Sequence, residues 1–325
     1  MPRDKAVRLT NDPQPNPAAQ SPPAQRLEPA GSARQLRSFG LATLVLALCF
    51  GIPLWDLIWF AAGSELYSYI LLIPFISLYL VWLKRGSFPT CSQPARKAAA
   101  GFLTAGTVVI IAYWLVLRPR LKLVEDDYLA VMMISFLLFF FGAGCLFLGR
   151  EILRAAAFPL GFLVFMVPLP AVAVRGIDSF LQYGSAVVAQ GFFRLSDTPF
   201  FENGLVFQLP GITIQIGPEC SGIHSSLVLF LTSLVAGHLF LRSPWKRGIL
   251  ALAVLPLGLL RNGFRVFVIG QLCIHIGPEM IHSPIHRDGG PVFFALVMVP
   301  FFLILFLLRR SEQLRAGPTD PPRSS

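Results

Sequence analysis

The apolar positions of this chain gather into long runs separated by short polar connections, instead of recurring every third or fourth residue as they do in a soluble helix. The runs occupy residues 39–54, 67–83, 98–117, 128–148, 155–174, 221–241, 248–272 and 289–308. A helix needs about 20 residues to cross the hydrocarbon of a bilayer, and these runs approach or reach that length. Pro159, Pro168 and Pro170 fall in the fifth run and predict a break towards its C-terminal end. The first run is expected to continue in an interfacial piece around residues 55–60. One connection, residues 175–219, is too long for a turn and too mixed for a span. Residues 177–193 read as a helix lying in the interface. After them Leu205, Phe207 and Leu209 alternate with Val206 and Gln208, Pro210-Gly211 makes a turn, and Ile212, Ile214 and Ile216 resume the period of two. That pattern predicts a β-hairpin, which ends at Gly217-Pro218-Glu219-Cys220 where the sixth run begins. The predicted fold class is an all-α polytopic membrane bundle of about eight transmembrane helices with a small extracytoplasmic cap of β-hairpin and interfacial helix.

Charge orients this bundle. Arg34 and Arg37, Lys84 to Lys97, Arg150 and Arg154, Arg242 to Arg247, and Arg309 and Arg310 fall on alternate connections. By the positive-inside rule these connections are cytoplasmic, so both termini are expected inside and the hairpin segment outside, in a multi-pass protein of the cell (inner) membrane. The net charge of +10 is thereby read as topology, and no nucleic-acid partner is expected. Only 14% of residues are charged, against about a quarter in soluble domains. The Pro-rich residues 1–37 and the polar residues 311–325 are expected to be disordered cytoplasmic tails, leaving 38–310 as the transmembrane domain. Five widely spaced cysteines include no CxxC pair, so neither a metal site nor another cofactor is expected.

Three places in the spans and outer connections carry candidate chemistry. Cys220 stands at the start of the sixth run, followed by Ser221 and Gly222. A helix N-terminus favours the thiolate, which is the nucleophilic form. A buried structural thiol, or a disulfide with Cys273, is the alternative. Arg261, Asn262 and Arg265 interrupt the seventh run, and Arg261 and Arg265 share one helix face. A guanidinium within an apolar run must face a protein interior or a wet cavity and marks a functional site by default. Arg261, the deeper of the two, is expected to pair with a carboxylate or with backbone carbonyls. His286 precedes the last run on the outer side, and His224 lies one helical turn after Cys220; either imidazole would serve as a proton-transfer partner of the thiol.

The set Cys220-Ser221-Gly222, Asn262-x-x-Arg265 and His286-x-x-x-Gly290, in that order on successive runs, resembles the exosortase/archaeosortase family. The resemblance covers most of the membrane region and is densest over residues 205–294. It implies a membrane cysteine protease or transpeptidase acting on exported proteins that end in a short motif such as Pro-Glu-Pro, an apolar helix and a basic cluster. It further implies Cys220 as nucleophile through a thioester, Arg265 as oxyanion stabiliser and His286 as proton carrier, with a lipid or glycan as conceivable acceptor. Glu219 stands where the family more often has a small residue, and Arg261 is unusual at its place.

Three other classes compete. A metallohydrolase would use His275, Glu279, His282 and His286, but Pro284 interrupts the helix face and no HExxH occurs. A lipid-phosphate phosphatase would use the Ser-Gly-x-His of residues 221–224, but the accompanying basic motif is absent. A transporter would explain charges within spans, but neither a repeat nor inverted broken spans are seen.

Overall fold

In a bilayer every main-chain polar group must be satisfied within the chain, so an apolar run becomes a helix. The computed structural model describes residues 30–89, 92–118, 125–217, 221–282 and 289–315. The N-terminal region forms α1 (Ala30–Cys49), α2 (Gly51–Gly63), a 3-10 turn (Ser68–Leu72) leading into α3 (Ile73–Leu83), α4 (Arg96–Ala112) and α5 (Glu125–Phe147). Two short helices follow, α6 (Gly149–Ala155) and α7 (Ala157–Phe162), then the long α8 (Ala171–Leu195). Strands β1 (Phe201–Asn203), β2 (Val206–Leu209) and β3 (Ile212–Gln215) precede α9 (Ile223–Phe240), α10 (Pro244–His275) and α11 (Gly290–Arg315). Among the described residues five helices are long and apolar enough to cross a membrane: α4 extended to Leu117, α5, α9, α10 and α11. Two bent pairs pass the same test together, α1 with α2 at 75° and α7 with α8 at 92°. With the shorter Ser68–Leu83 segment, they account for the eight apolar runs.

The bends follow the sequence. Pro168 and Pro170 lie in the gap before α8, and Pro170 is its N-cap residue. The segment expected as an interfacial helix is the body of α8, which buries Leu181, Ser185, Ala189 and Phe193, one stripe at four-residue spacing. The chain becomes helical at Ala30, ahead of the expected 37/38 boundary, and α11 continues to Arg315, past residue 310.

Three apolar clusters hold the elements together. Leu57, Ile70, Met133 and Phe162 join α2, α5 and α7 with the 3-10 turn before α3. Leu229, Leu250 and Phe301 join α9, α10 and α11. Phe193, Phe207, Ile216 and Val266 join α8 and the sheet to α10. Large apolar side chains such as Leu48, Trp59, Leu115 and Val299 are exposed; on a membrane-spanning bundle this is the lipid-facing surface.

The expected hairpin is present and has a third strand. The order is β1-β2-β3, all antiparallel, with Phe207 opposite Ile214 and Leu209 opposite Ile212. Pro210-Gly211 forms the two-residue turn, where the φ of +81° at Gly211 is open to glycine. β1 is only three residues long, too short for alternation to reveal it.

Candidate active site

The start of α9 is shaped by its contact with the middle of α10. Gly222, the N-cap of α9, has the left-handed φ of 63° and ψ of 29°. An L side chain costs about 1–2 kcal/mol there. A Cβ at Gly222 would also overlap Arg261 Nη2 and Asn262 Oδ1, so two independent constraints demand glycine. Ser221 is fully buried, and its Oγ accepts from the Ile223 N–H at 3.4 Å.

Arg261 and Asn262 bind the main chain that follows Cys220. Asn262 Nδ2 donates to the Ser221 carbonyl. Its Oδ1 accepts from Arg261 Nε at 3.0 Å and from Arg261 Nη2. Arg261 Nη2 also donates to the Gly222 carbonyl at 3.3 Å. A carbonyl only accepts and a guanidinium only donates, so the amide orientation is fixed at both ends. Arg261 is 7% exposed and Asn262 1%, which rules out snorkelling of this guanidinium to the interface. Of the two fates expected for Arg261, backbone carbonyls are the one observed; Glu219 lies outside the described residues.

Arg265 follows one turn along the same face of α10, half-buried, and close enough to Arg261 for the two charges to act on each other. The approach of helices to this stretch depends on small residues. A Cβ at Gly263 would lie 2.6 Å from Val188 Cβ on α8, and one at Gly258 would lie 3.0 Å from Ser226 Oγ on α9. Such small residues let membrane helices pack closely.

His224, in the first turn of α9, is engaged elsewhere. Its Nδ1 is hydrogen-bonded to the Glu65 carbonyl, in the turn after α2. Since a carbonyl only accepts, Nδ1 is the donor in this bond. Cys220 and His286 lie outside the described residues, so the described geometry covers Ser221, Gly222, His224, Arg261, Asn262 and Arg265. Sequence reasoning gave Arg261 a lesser rank and missed the Glu65 carbonyl, which carries no side-chain signal.

Among the described residues no group of three or more His, Cys, Asp or Glu is placed to hold a metal ion. Of the residues a metallohydrolase would use, His275 Nε2 is 3.1 Å from Gln271 Oε1, while the side chain of His282 and all of His286 lie outside the described set. A cavity of about 920 Å3 opens at the other end of α9, lined by His238, Arg242, Lys246, Arg247, Arg309 and Glu312 among others. It is a helical turn-and-loop junction remote from Gly222 and takes no part in this site.

Apolar helices surrounding two buried or half-buried arginines and an asparagine define a multi-pass membrane protein with a polar site inside its bundle. The chain matches the transmembrane exosortase family over residues 59–303, and it belongs to that family. The matched span contains α3 to α10, the sheet and every candidate site residue. Membership makes it a membrane peptidase or transpeptidase whose substrates are exported proteins carrying sorting signals. No curated protein and no solved structure matches the chain.

Proposed function

We propose that this chain is a cysteine protease-transpeptidase that cleaves C-terminal sorting signals of exported proteins on the extracytoplasmic face of the inner membrane. The observation that carries this reading is the clamp of Arg261 and Asn262 on the Ser221 and Gly222 carbonyls. It pins the residues next to Cys220 against the helix that carries Arg265. The clustered guanidiniums favour any anion formed nearby, whether thiolate or oxyanion.

In this reading His286 takes the Cys220 thiol proton, Sγ attacks the carbonyl carbon of the scissile peptide, and negative charge collects on the carbonyl oxygen. Arg265, a permanent donor in a water-poor site, stabilises that oxygen. The C–N bond then breaks, His286 gives its proton to the leaving amine, and a thioester remains on Cys220. Water, or a lipid or glycan nucleophile, attacks the thioester and restores the thiol. The signal recognised is of the motif, apolar helix and basic cluster kind, with both termini of the enzyme in the cytoplasm. Residues 38–310 form the working domain, flanked by cytoplasmic tails.

His224 supports a second assignment of the proton carrier, because it lies four residues after Cys220 and its Nδ1 is held by the Glu65 carbonyl, which leaves Nε2 outside that bond. Processing of a signal-bearing reporter by membranes containing the full chain tests both points. Cys220→Ala should lower it on the order of a thousandfold or more. His286→Gln should lower it far more than His224→Gln, and the reverse order transfers the role to His224. Undiminished processing by Cys220→Ala would sink the cysteine mechanism.

A further inference from the structure

β3 is an outer strand of its sheet, and its register decides where each main-chain group points. The Ile216 N–H donates to the Leu205 carbonyl at 2.9 Å, and Ile214 and Ile212 stand opposite Phe207 and Leu209. Residues of an antiparallel pair alternate between exchanging hydrogen bonds and not. Ile212, Ile214 and Ile216 therefore turn their N–H and C=O groups towards β2. Thr213 and Gln215 turn theirs the other way, to an edge on which no strand pairs among the described residues. Their side chains are exposed, whereas those of Ile214 and Ile216 are buried.

Natural sheets guard such edges with charge, proline or a bulge. The opposite outer strand, β1, follows this rule: it has three residues, and Glu202 stands at its outward-turned position. The Ile-Thr-Ile-Gln of β3 has no such guard. The inner face of β3 packs through Ile214 and Ile216 on Val266, the neighbour of Arg265, and its C-terminal end leads within five residues to Cys220.

We propose that the outer edge of β3 receives the extended segment of the exported substrate just N-terminal to the scissile bond, as an added parallel strand. This rests on Cys220 being the nucleophile. Polarity selects the parallel arrangement. A strand running with β3 arrives at Cys220 by its C-terminal end, where the scissile carbonyl must be, and the following apolar helix enters the membrane beside α9. An antiparallel strand would present its N-terminal end there. Main-chain pairing supplies affinity, and alternate side chains of the substrate supply selectivity.

Proline at an outward-turned position removes one N–H from the edge and leaves the β2–β3 ladder intact. In membranes containing the full chain, kcat/KM is measured on a reporter ending in a Pro-Glu-Pro-type motif, an apolar helix and a basic cluster, which the unsubstituted chain processes. Thr213→Pro and Gln215→Pro are each expected to lower kcat/KM roughly tenfold, the worth of one lost hydrogen bond. Glu202→Pro on the far edge should leave it unchanged. Should the proline variants fail to fold, Thr213→Cys in a Cys220→Ala background is cross-linked to single cysteines placed along the reporter upstream of its motif. Cross-links at every second reporter position are expected. Wild-type cleavage by both folded proline variants, or cross-linking without a period of two, overturns the proposal. A Cys220→Ala chain that still cleaves would instead overturn the nucleophile assignment, so the two failures are distinct.

Discussion

Gly222 concentrates three demands on one position: a left-handed backbone, contact with Arg261, and contact with Asn262. The functional reading of Cys-Ser-Gly thus has a structural counterpart. The glycine lets two polar side chains of α10 reach the Ser221 and Gly222 carbonyls, the second of which also accepts the Ser226 N–H that opens α9. Gly222→Ala is expected to cost about 1–2 kcal/mol for its backbone alone, with a further loss from displacing Arg261. A fall in thermal stability together with loss of reporter processing checks this; an alanine variant with unchanged melting would refute the contact argument. The neighbouring carbonyls explain why asparagine is suited to position 262: the amide donates through Nδ2 to the Ser221 carbonyl and accepts through Oδ1 from Arg261, with a separate atom for each bond.

At the scale of elements, the site depends on how closely α8 and α9 approach α10. Gly263 faces Val188 and the main chain of Ala189, while Gly191, on α8, faces open space. Gly263→Leu should force α8 and α10 apart and cost about 1–3 kcal/mol as overpacking. Gly191→Leu, of equal chemical change, should be near neutral; comparable melting losses for the two would argue against the close approach. A second link joins elements far apart in the chain. The Tyr67 hydroxyl lies 3.0 Å from both Asp126 Oδ2 and the Leu169 carbonyl, tying the turn before α3 to α5 and to the segment before α8. Burial foremost, and then the Asp126 carboxylate, raise the Tyr67 pKa above its ordinary 10.0. With the folded value above the unfolded one, this tether contributes fully below pH 10.0 and fades as pH rises towards the folded value. Tyr67→Phe should therefore destabilise the detergent-solubilised protein at neutral pH and flatten its loss of stability above that point. An alkaline limb identical to that of the unsubstituted chain would contradict it.

Across the whole molecule, the polar site at the start of α9 and the basic connection that follows α9 fall at opposite ends of that helix. Gly222 opens α9, and the other end of α9 is closed by Arg247, whose Nε and Nη2 donate to the Leu241 carbonyl at 2.9 and 2.8 Å. Glu312 accepts from the main-chain N–H groups of Arg242 and Ser243, fastening α11 to the same junction. The basic side chain of Arg247 thus closes a helix end. If that junction is cytoplasmic, Cys220 is extracytoplasmic. A membrane-impermeant thiol reagent applied to intact cells should then label the full chain at Cys220, with the signal lost in Cys220→Ala. Labelling that appears only after the cells are opened would invert the topology.

Much of this protein was legible in its sequence, because the deciding properties are local. A run of apolar residues forms a helix in lipid whatever its neighbours, prolines 168 and 170 break the chain where they stand, and alternation with Pro210-Gly211 specifies a hairpin. The order of cysteine, asparagine, arginine and histidine motifs likewise pointed to the family that the chain matches. What the tertiary structure alone decided are contacts between residues distant along the chain. The Asn262–Ser221 and Arg261–Gly222 bonds span 41 and 39 positions, and the His224–Glu65 bond spans 159. No local pattern encodes such pairs: the acceptors are main-chain carbonyls, identical at every residue, and only the packing of α9 against α10, and of α9 against the turn after α2, selects which of them a guanidinium, amide or imidazole can reach.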